Sequence, residues 1–179
     1  MREPAERAGE PTNAVSQLCS NCGLCCNGVL FADVELRAGD DAARLVELGL
    51  ALVKKGRSKL AFAQPCACFD GKLCGIYADR PQRCRTFECG LLKRVQAGEL
   101  GADAALKTIA KTKRQAETVR GLLRQLGQND ERLAMTRRYA ETMSAPIDLA
   151  DHETDAERRG ELMLAVAELM RQLQRDFLK

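Results

Sequence analysis

Tryptophan is absent from this chain, aromatic residues make up only 4% of it, and there is a single histidine. One histidine leaves no HExxH zinc motif and no Ser/His/Asp grouping, and no glycine-rich phosphate loop is present either. That histidine, His152, lies next to Asp151 and reads as a satisfied or solvent-facing side chain rather than a ligand. No window approaches the roughly 18 consecutive apolar residues of a membrane span. The first 17 residues are polar and lack the apolar centre of a secretory signal, which leads us to expect a cytoplasmic protein. With so few aromatics, the 45% hydrophobic content rests mainly on Leu and Ala, a composition suited to helices packed on helices.

Cysteine is abundant instead, with nine in 179 residues. Four fall in Cys19-Ser-Asn-Cys22-Gly-Leu-Cys25-Cys26, and the others are Cys66, Cys68, Cys74, Cys84 and Cys89. Disulfides are rare in a reducing cytosol, the count is odd, and Cys25-Cys26 is a poor pair for bridging. A thioredoxin-type redox pair would need a βαβ setting that the sequence lacks. Two cysteines separated by two residues can turn back so that both sulfurs meet one metal ion. Soft thiolates select zinc, copper(I) or iron, and an all-cysteine set points first to zinc or iron. Adjacent side chains in an extended segment diverge, so Cys25 and Cys26 should serve two metals or two edges of one polynuclear centre. Two closed tetrahedral sites would use eight thiols and leave one spare. A single [4Fe–4S] cubane would use only four. Closed four-thiolate sites have no vacant position, which counts against hydrolytic zinc chemistry.

The formal charge of +3 counts every thiol as neutral. Eight thiolates would contribute −8 and two divalent ions +4, so a loaded chain would carry about −1. Lys72, Arg80, Arg83, Arg85, Lys93 and Arg94 lie among or just after the second cysteines, where cations favour the thiolate form.

The expected fold is mainly α: a small, irregular, cysteine-rich metal domain with a few short strands, followed by a helical C-terminal half. Residues 1–17 read as a disordered lead-in, 18–90 as the metal domain, and 91–179 as a helical extension that packs on it or dimerises. Residues 19–26 should form an irregular loop turned at Gly23, and Val29 to Val34 a short strand. Asp40 or Asp41 should cap a helix running through Leu48 and stopped by Gly49, burying Leu45, Val46 and Leu48. A hairpin or short strand ends at Leu60-Ala-Phe62, and Phe69-Asp70-Gly71 is a turn. Tyr77-Ala78-Asp79 reads as one helical turn. Helices follow over Leu91 to Ala97, Asp103 to Leu126 and Asp130 to Met143, and Thr154-Asp-Ala-Glu157 matches a capping box for a last one. Ile109, Ala116 and Leu123 repeat at seven, interleaved with Thr112, Val119 and Leu126, and mark one buried stripe. Leu162, Val166, Leu169 and Leu173, widened by Met163, Met170 and Phe177, mark another.

The cysteine motifs resemble the CxxCxxCC family, also called YkgJ-type cysteine-cluster proteins. Cys19-x-x-Cys22-Gly23-x-Cys25-Cys26 matches the opening motif, and Cys66 with Phe69-Asp70 resembles the middle cysteine. Cys74-x-Ile76-Tyr77-x-x-Arg80-Pro81-x-x-Cys84-Arg85-x-Phe87-x-Cys89 follows the closing motif. The resemblance covers about residues 19–90 and implies chelation of zinc or iron. It maps eight cysteines as ligands, leaves Cys68 as a spare ligand that could replace Cys66, and marks Tyr77, Arg80, Pro81 and Arg85 as site-supporting.

Three functions compete on the sequence. The first is an accessory or structural metal-binding protein holding two zinc ions, or iron, with the C-terminal helices facing a protein partner or a second copy. The second is an iron–sulfur redox or protein-modifying component, because some flagellin lysine methylases are similar at the opening cysteine motif. The third is nucleic-acid binding through Lys107, Lys111 and Arg114. The 91–127 segment has no aromatic residue to stack on bases, so this reading is disfavoured.

Overall fold

The computed structural model describes residues 11–56, 59–147 and 152–179, with side chains from 17 onward in the first stretch and from 154 onward in the last. The lead-in at 1–10 and the reading of His152 lie outside the described residues and side chains. Among the described residues there are seven helices and three strands: α1 (Pro11–Cys22), β1 (Asp33–Glu35), α2 (Ala42–Glu47), β2 (Leu52–Lys55), β3 (Lys59–Ala63), α3 (Gln82–Thr86), α4 (Gly90–Gln96), α5 (Ala102–Gln125), α6 (Met135–Ser144) and α7 (His152–Asp176). The chain is mainly α, as expected.

Two apolar cores organise these elements. In the first, α5 packs most extensively against α7, and also against α1, α4 and α6. Its buried stripe keeps Ile109, Thr112, Ala116, Val119 and Leu123 as read from the sequence, adds Ala105, and leaves Leu126 only partly buried. They meet Leu162, Leu169, Leu173 and Phe177 of the α7 region and Leu18, Leu24 and Val29 from the N-terminal side. Each buried Leu, Ile or Phe contributes about 1.5–3 kcal/mol. The second core is smaller. The antiparallel sheet, in the order β1-β3-β2, aligns Val34, Phe62 and Leu52 across one face. Val34 and Phe62 pack there with Leu45, Leu50 and Ile76, and Leu52 borders them. Lys55 Nζ lies 2.7 Å from Asp33 Oδ1 and Lys59 Nζ 2.9 Å from Glu35 Oε2, so exposed ion pairs reinforce the strand register.

Several local expectations change. Helix α1 begins at Pro11, within the stretch expected to be disordered, and runs through Cys22 rather than leaving 19–26 as a loop. Leu18 and Cys22, one turn apart, face the same core, and burial of that face favours the helix. The first strand starts at Asp33 because Val29 is taken by the first core and Phe31 stacks edge-on against Phe87 at 5.0 Å. Val46 is exposed on α2, opposite Leu45. Asp130 binds the Arg132 N–H through its own carboxylate, a local turn that delays the next helix to Met135. Thr154 lies inside α7, so the capping box is not used. On α7, Met163 and Met170 point outward, away from the buried stripe. Helix α3, which carries Cys84, was not anticipated.

Two glycines separate local propensity from packing. A Cβ on Gly90 would collide with Lys179 O and lie 3.2 Å from Asp176 O, whereas one on Gly121, inside α5, would meet nothing within 4 Å. Gly121→Ala should stabilise the chain by about 0.5–1 kcal/mol, and Gly90→Ala should destabilise it by about 1–3 kcal/mol. Urea denaturation of the two variants would show opposite shifts; shifts of the same sign would refute this placement of α4 against the C-terminal residues.

Candidate metal centre

The nine cysteines come from six places in the fold. Cys19 and Cys22 sit three residues apart on α1, whose last turn gives way to Gly23 at φ +68°. Cys25 and Cys26 follow in a tight turn in which the Cys26 and Asn27 N–H groups donate to Gly23 O. This turn, rather than an extended segment, carries the adjacent pair. Cys66 and Cys68 follow β3, and Cys74 pairs with Phe69 across the Asp70-Gly71 turn. Cys84 lies on α3, and Cys89 is the N-cap residue of α4. All nine are free thiols; Cys19 is exposed and the other eight are half-buried. Among the described residues, no three His, Cys, Asp or Glu donors are already gathered at the spacing of a bound ion.

Their surroundings are nonetheless those of linked thiols. Burial pushes Cys22 up to about 12, with Cys89 and Cys19 adding to the shift and the Leu24 N–H and Lys113 opposing it. Burial likewise raises Cys25 well above the ordinary thiol value, and Cys22, Cys26, Cys89 and Cys19 all raise it further. Cys26 is pushed up to about 11, by burial and then by Cys74 and Cys84. Cys66 reaches about 12 and Cys84 about 11, burial being the first cause and neighbouring thiols the next repulsive one in both. Cys19, Cys68 and Cys89 are raised too, again mainly by burial. Several groups act in the other direction. The Leu24 N–H at Cys22, the Cys68 N–H at Cys66, and the Leu91 and Leu92 N–H groups at Cys89 all favour thiolate. Backbone donors aimed at sulfur, soft ligands and the lack of a competing hard donor set fit a thiolate-held metal ion.

The residues expected to support the site fall in different positions. Arg80 is electrostatically close to Cys19, Cys26 and Cys84, lowering all three. It is held by Tyr77: its guanidinium lies 3.6 Å from the ring centroid, and Nε donates to Tyr77 O at 3.0 Å. Buried Pro81 precedes α3 and accepts the Arg85 N–H, while the Arg85 side chain is exposed.

Other supporting residues were not read from the sequence. Asp40, considered only as a cap for α2, instead accepts the Gln82 N–H at 2.8 Å and ties down the start of α3; Asp41 caps α2. Phe69 lies so close over Gly23 that a Cβ there would be 2.6 Å from the ring. From α5, Lys113 donates to Asn21 O at 3.2 Å and Arg120 approaches Asn27 O at 3.5 Å, bracketing the opening cysteines. These contacts join residues about 90 positions apart, which periodicity does not reveal.

The thiol environments have a consequence for stability. In the folded, metal-free chain, Cys22, Cys26, Cys66 and Cys84 hold their protons to about 11–12, against an ordinary 9.0. Their stabilising contribution is complete below the ordinary value and is lost as pH rises through the folded values. Thiols already deprotonated by a metal ion contribute no such dependence. Anaerobic urea denaturation at about pH 8 and about pH 11 should therefore show a larger loss of stability for the chelator-treated protein than for the metal-loaded one. Equal losses would mean that these thiols do not hold the metal.

No curated protein and no solved structure matches the chain. A family model, CxxCxxCC, described as "Putative zinc- or iron-chelating domain", matches residues 18–117. The match extends beyond the expected limit near residue 90, through α4 and into α5, the helix that brackets the opening cysteines. It spans more than half of the chain, which therefore belongs to the CxxCxxCC family.

Proposed function

We propose that this protein holds zinc or iron through cysteine thiolates alone, and that the metal has a structural, accessory role rather than a catalytic one. The observation that carries this reading is the set of nine cysteines free of disulfides, eight of them half-buried, with Cys22 and Cys89 packed against the helical core and Cys66, Cys68, Cys74 and Cys84 against the sheet core. Once ionised, so many thiolates need positive charge, and Arg80, Lys93 and Lys113 supply only part of it. Divalent ions supply the rest. Nine free cysteines suit a reducing compartment such as the cytoplasm. A role as an accessory protein follows from the donor set: four thiolates close a tetrahedral zinc site and leave no position for substrate.

Elemental analysis of protein purified anaerobically without added metal tests this directly. We expect about two metal ions per chain, zinc foremost, from four-thiolate coordination. Chelation should loosen the sheet region, read as faster amide exchange over residues 33–89. Three to four irons with matching sulfide would replace the structural reading with an iron–sulfur one, and a metal-free protein that is fully folded would refute it.

A further inference from the structure

We propose that the cysteines form two separate four-thiolate sets: Cys19, Cys22, Cys25 and Cys89 against the helical core, and Cys26, Cys66, Cys74 and Cys84 against the sheet core, with Cys68 outside both. This deepens the metal-binding reading above and rests on it.

Packing divides the cysteines first. Cys22 and Cys89 pack against the α1–α4–α5–α7 core, while Cys66, Cys74 and Cys84 pack against the Val34–Leu45–Phe62–Ile76 core. The adjacent pair is then divided by its neighbours. Cys26 O accepts the Cys66 N–H at 2.8 Å, which draws Cys26 to the sheet side. Cys19 lies one turn before Cys22 on α1, and α1 packs on α4, whose N-cap is Cys89. The leading electrostatic neighbours follow this division: Cys22 acts most on Cys25, whereas Cys74 and Cys84 act most on Cys26, with Cys19 a smaller influence across it. Cys26 also repels Cys25, as two thiols on successive residues must.

Cys68 is the thiol that remains. It touches the sheet core, but its Sγ donates to Leu48 O at 3.3 Å, so the sulfur already has a backbone partner as a protonated thiol. It also hydrogen-bonds with Cys66, the neighbour it would have to replace as a ligand. Arg80 acts on both sets, lowering Cys19 in one and Cys26 and Cys84 in the other. Each set of four thiolates around a divalent ion carries −2, and a shared guanidinium between two such sites offsets their mutual repulsion. The division therefore predicts two mononuclear sites joined at Cys25-Cys26, rather than one polynuclear centre.

The test uses the full-length protein, anaerobic, with zinc as the added ion. The chelator-stripped chain would be reloaded with one equivalent, then with two. Thiols left open would be alkylated and located by mass spectrometry. At one equivalent, Cys19, Cys22, Cys25 and Cys89 should be protected in common proportion, and so should Cys26, Cys66, Cys74 and Cys84. At two equivalents all eight should be protected and Cys68 alone modified. In parallel, Cys22→Ser and Cys74→Ser should each keep one of two bound ions, and Cys68→Ser should keep both. Because the alkylation pattern is read on the unaltered sequence, a variant that fails to fold leaves the test intact. Two bound ions with protection that crosses between the sets would overturn the division but leave the metal-binding reading standing. So would loss of both ions from Cys22→Ser protein that remains folded. No zinc bound at all would overturn both.

Discussion

The cost of ionising half-buried thiols, which each neighbouring thiolate increases, is the constraint on which this structure depends. Half-buried sulfurs are costly to ionise singly, and each thiolate formed makes its neighbours harder to ionise. Burial leads the causes that push Cys22, Cys25, Cys26, Cys66 and Cys84 upward, with other cysteines contributing to each. Aliphatic side chains at these positions would pack without that cost. Thiols there make physical sense when a cation of higher charge than Arg80 is to be accommodated. The N–H groups aimed at Cys22, Cys66 and Cys89 point the same way, since they favour the thiolate.

The helical half has a direct part in this arrangement. Leu18, just before the opening motif, and Leu24 within it are buried in the helical core, and Gly28 O accepts the Met135 N–H at 2.9 Å. A Cβ on Gly28 would press on Ala134 and Pro65 at 3.1 Å, so three distant segments converge there. Lys113 and Arg120 reach the same stretch from α5. A family pattern that continued only through the last cysteine would omit the surface on which the first cysteines are mounted. The match through residue 117 includes much of that surface.

Sequence reading succeeded where the determinants are local. The 3.6-residue stripe of Ile109, Ala116 and Leu123 was legible because burial on one helix face imposes it. Gly49 and Gly127 ended helices as expected, both at positive φ. Asp41 capped α2 as one of two candidates. Errors arose where tertiary contacts compete with local signals. The CxxC spacing reads as a loop, yet Leu18 and Cys22 face a core that favours helix. Thr154 to Glu157 has a capping pattern, but α7 begins before it. Of the supporting residues, Tyr77 and Arg80 were marked by the closing motif, but their stacking on one another was not. Phe69 over Gly23 and Lys113 at Asn21 were not, because they arise only when distant segments meet.

The two cores also differ in how far they can stand by themselves. Among the described residues, the helical core buries fifteen, drawn from α1, α4, α5, α6, the α7 region and the turn after α1, with partly buried side chains packed around it. The sheet core buries five, on a three-stranded sheet whose first strand has three residues. A core that small rarely contributes more than about 3–5 kcal/mol net. Structural zinc in small peptides contributes about 10–16 kcal/mol. On the proposed reading, metal therefore matters unequally: it adds to a helical bundle already held by α5 and α7, but supplies most of what orders the segment from Cys66 to Cys84. Lys55, Lys59 and their carboxylate partners cannot substitute for it, because ion pairs open to solvent are screened and weak. On that reading, the sheet and the turns around Cys74 are the part of the fold whose order would depend on chelation.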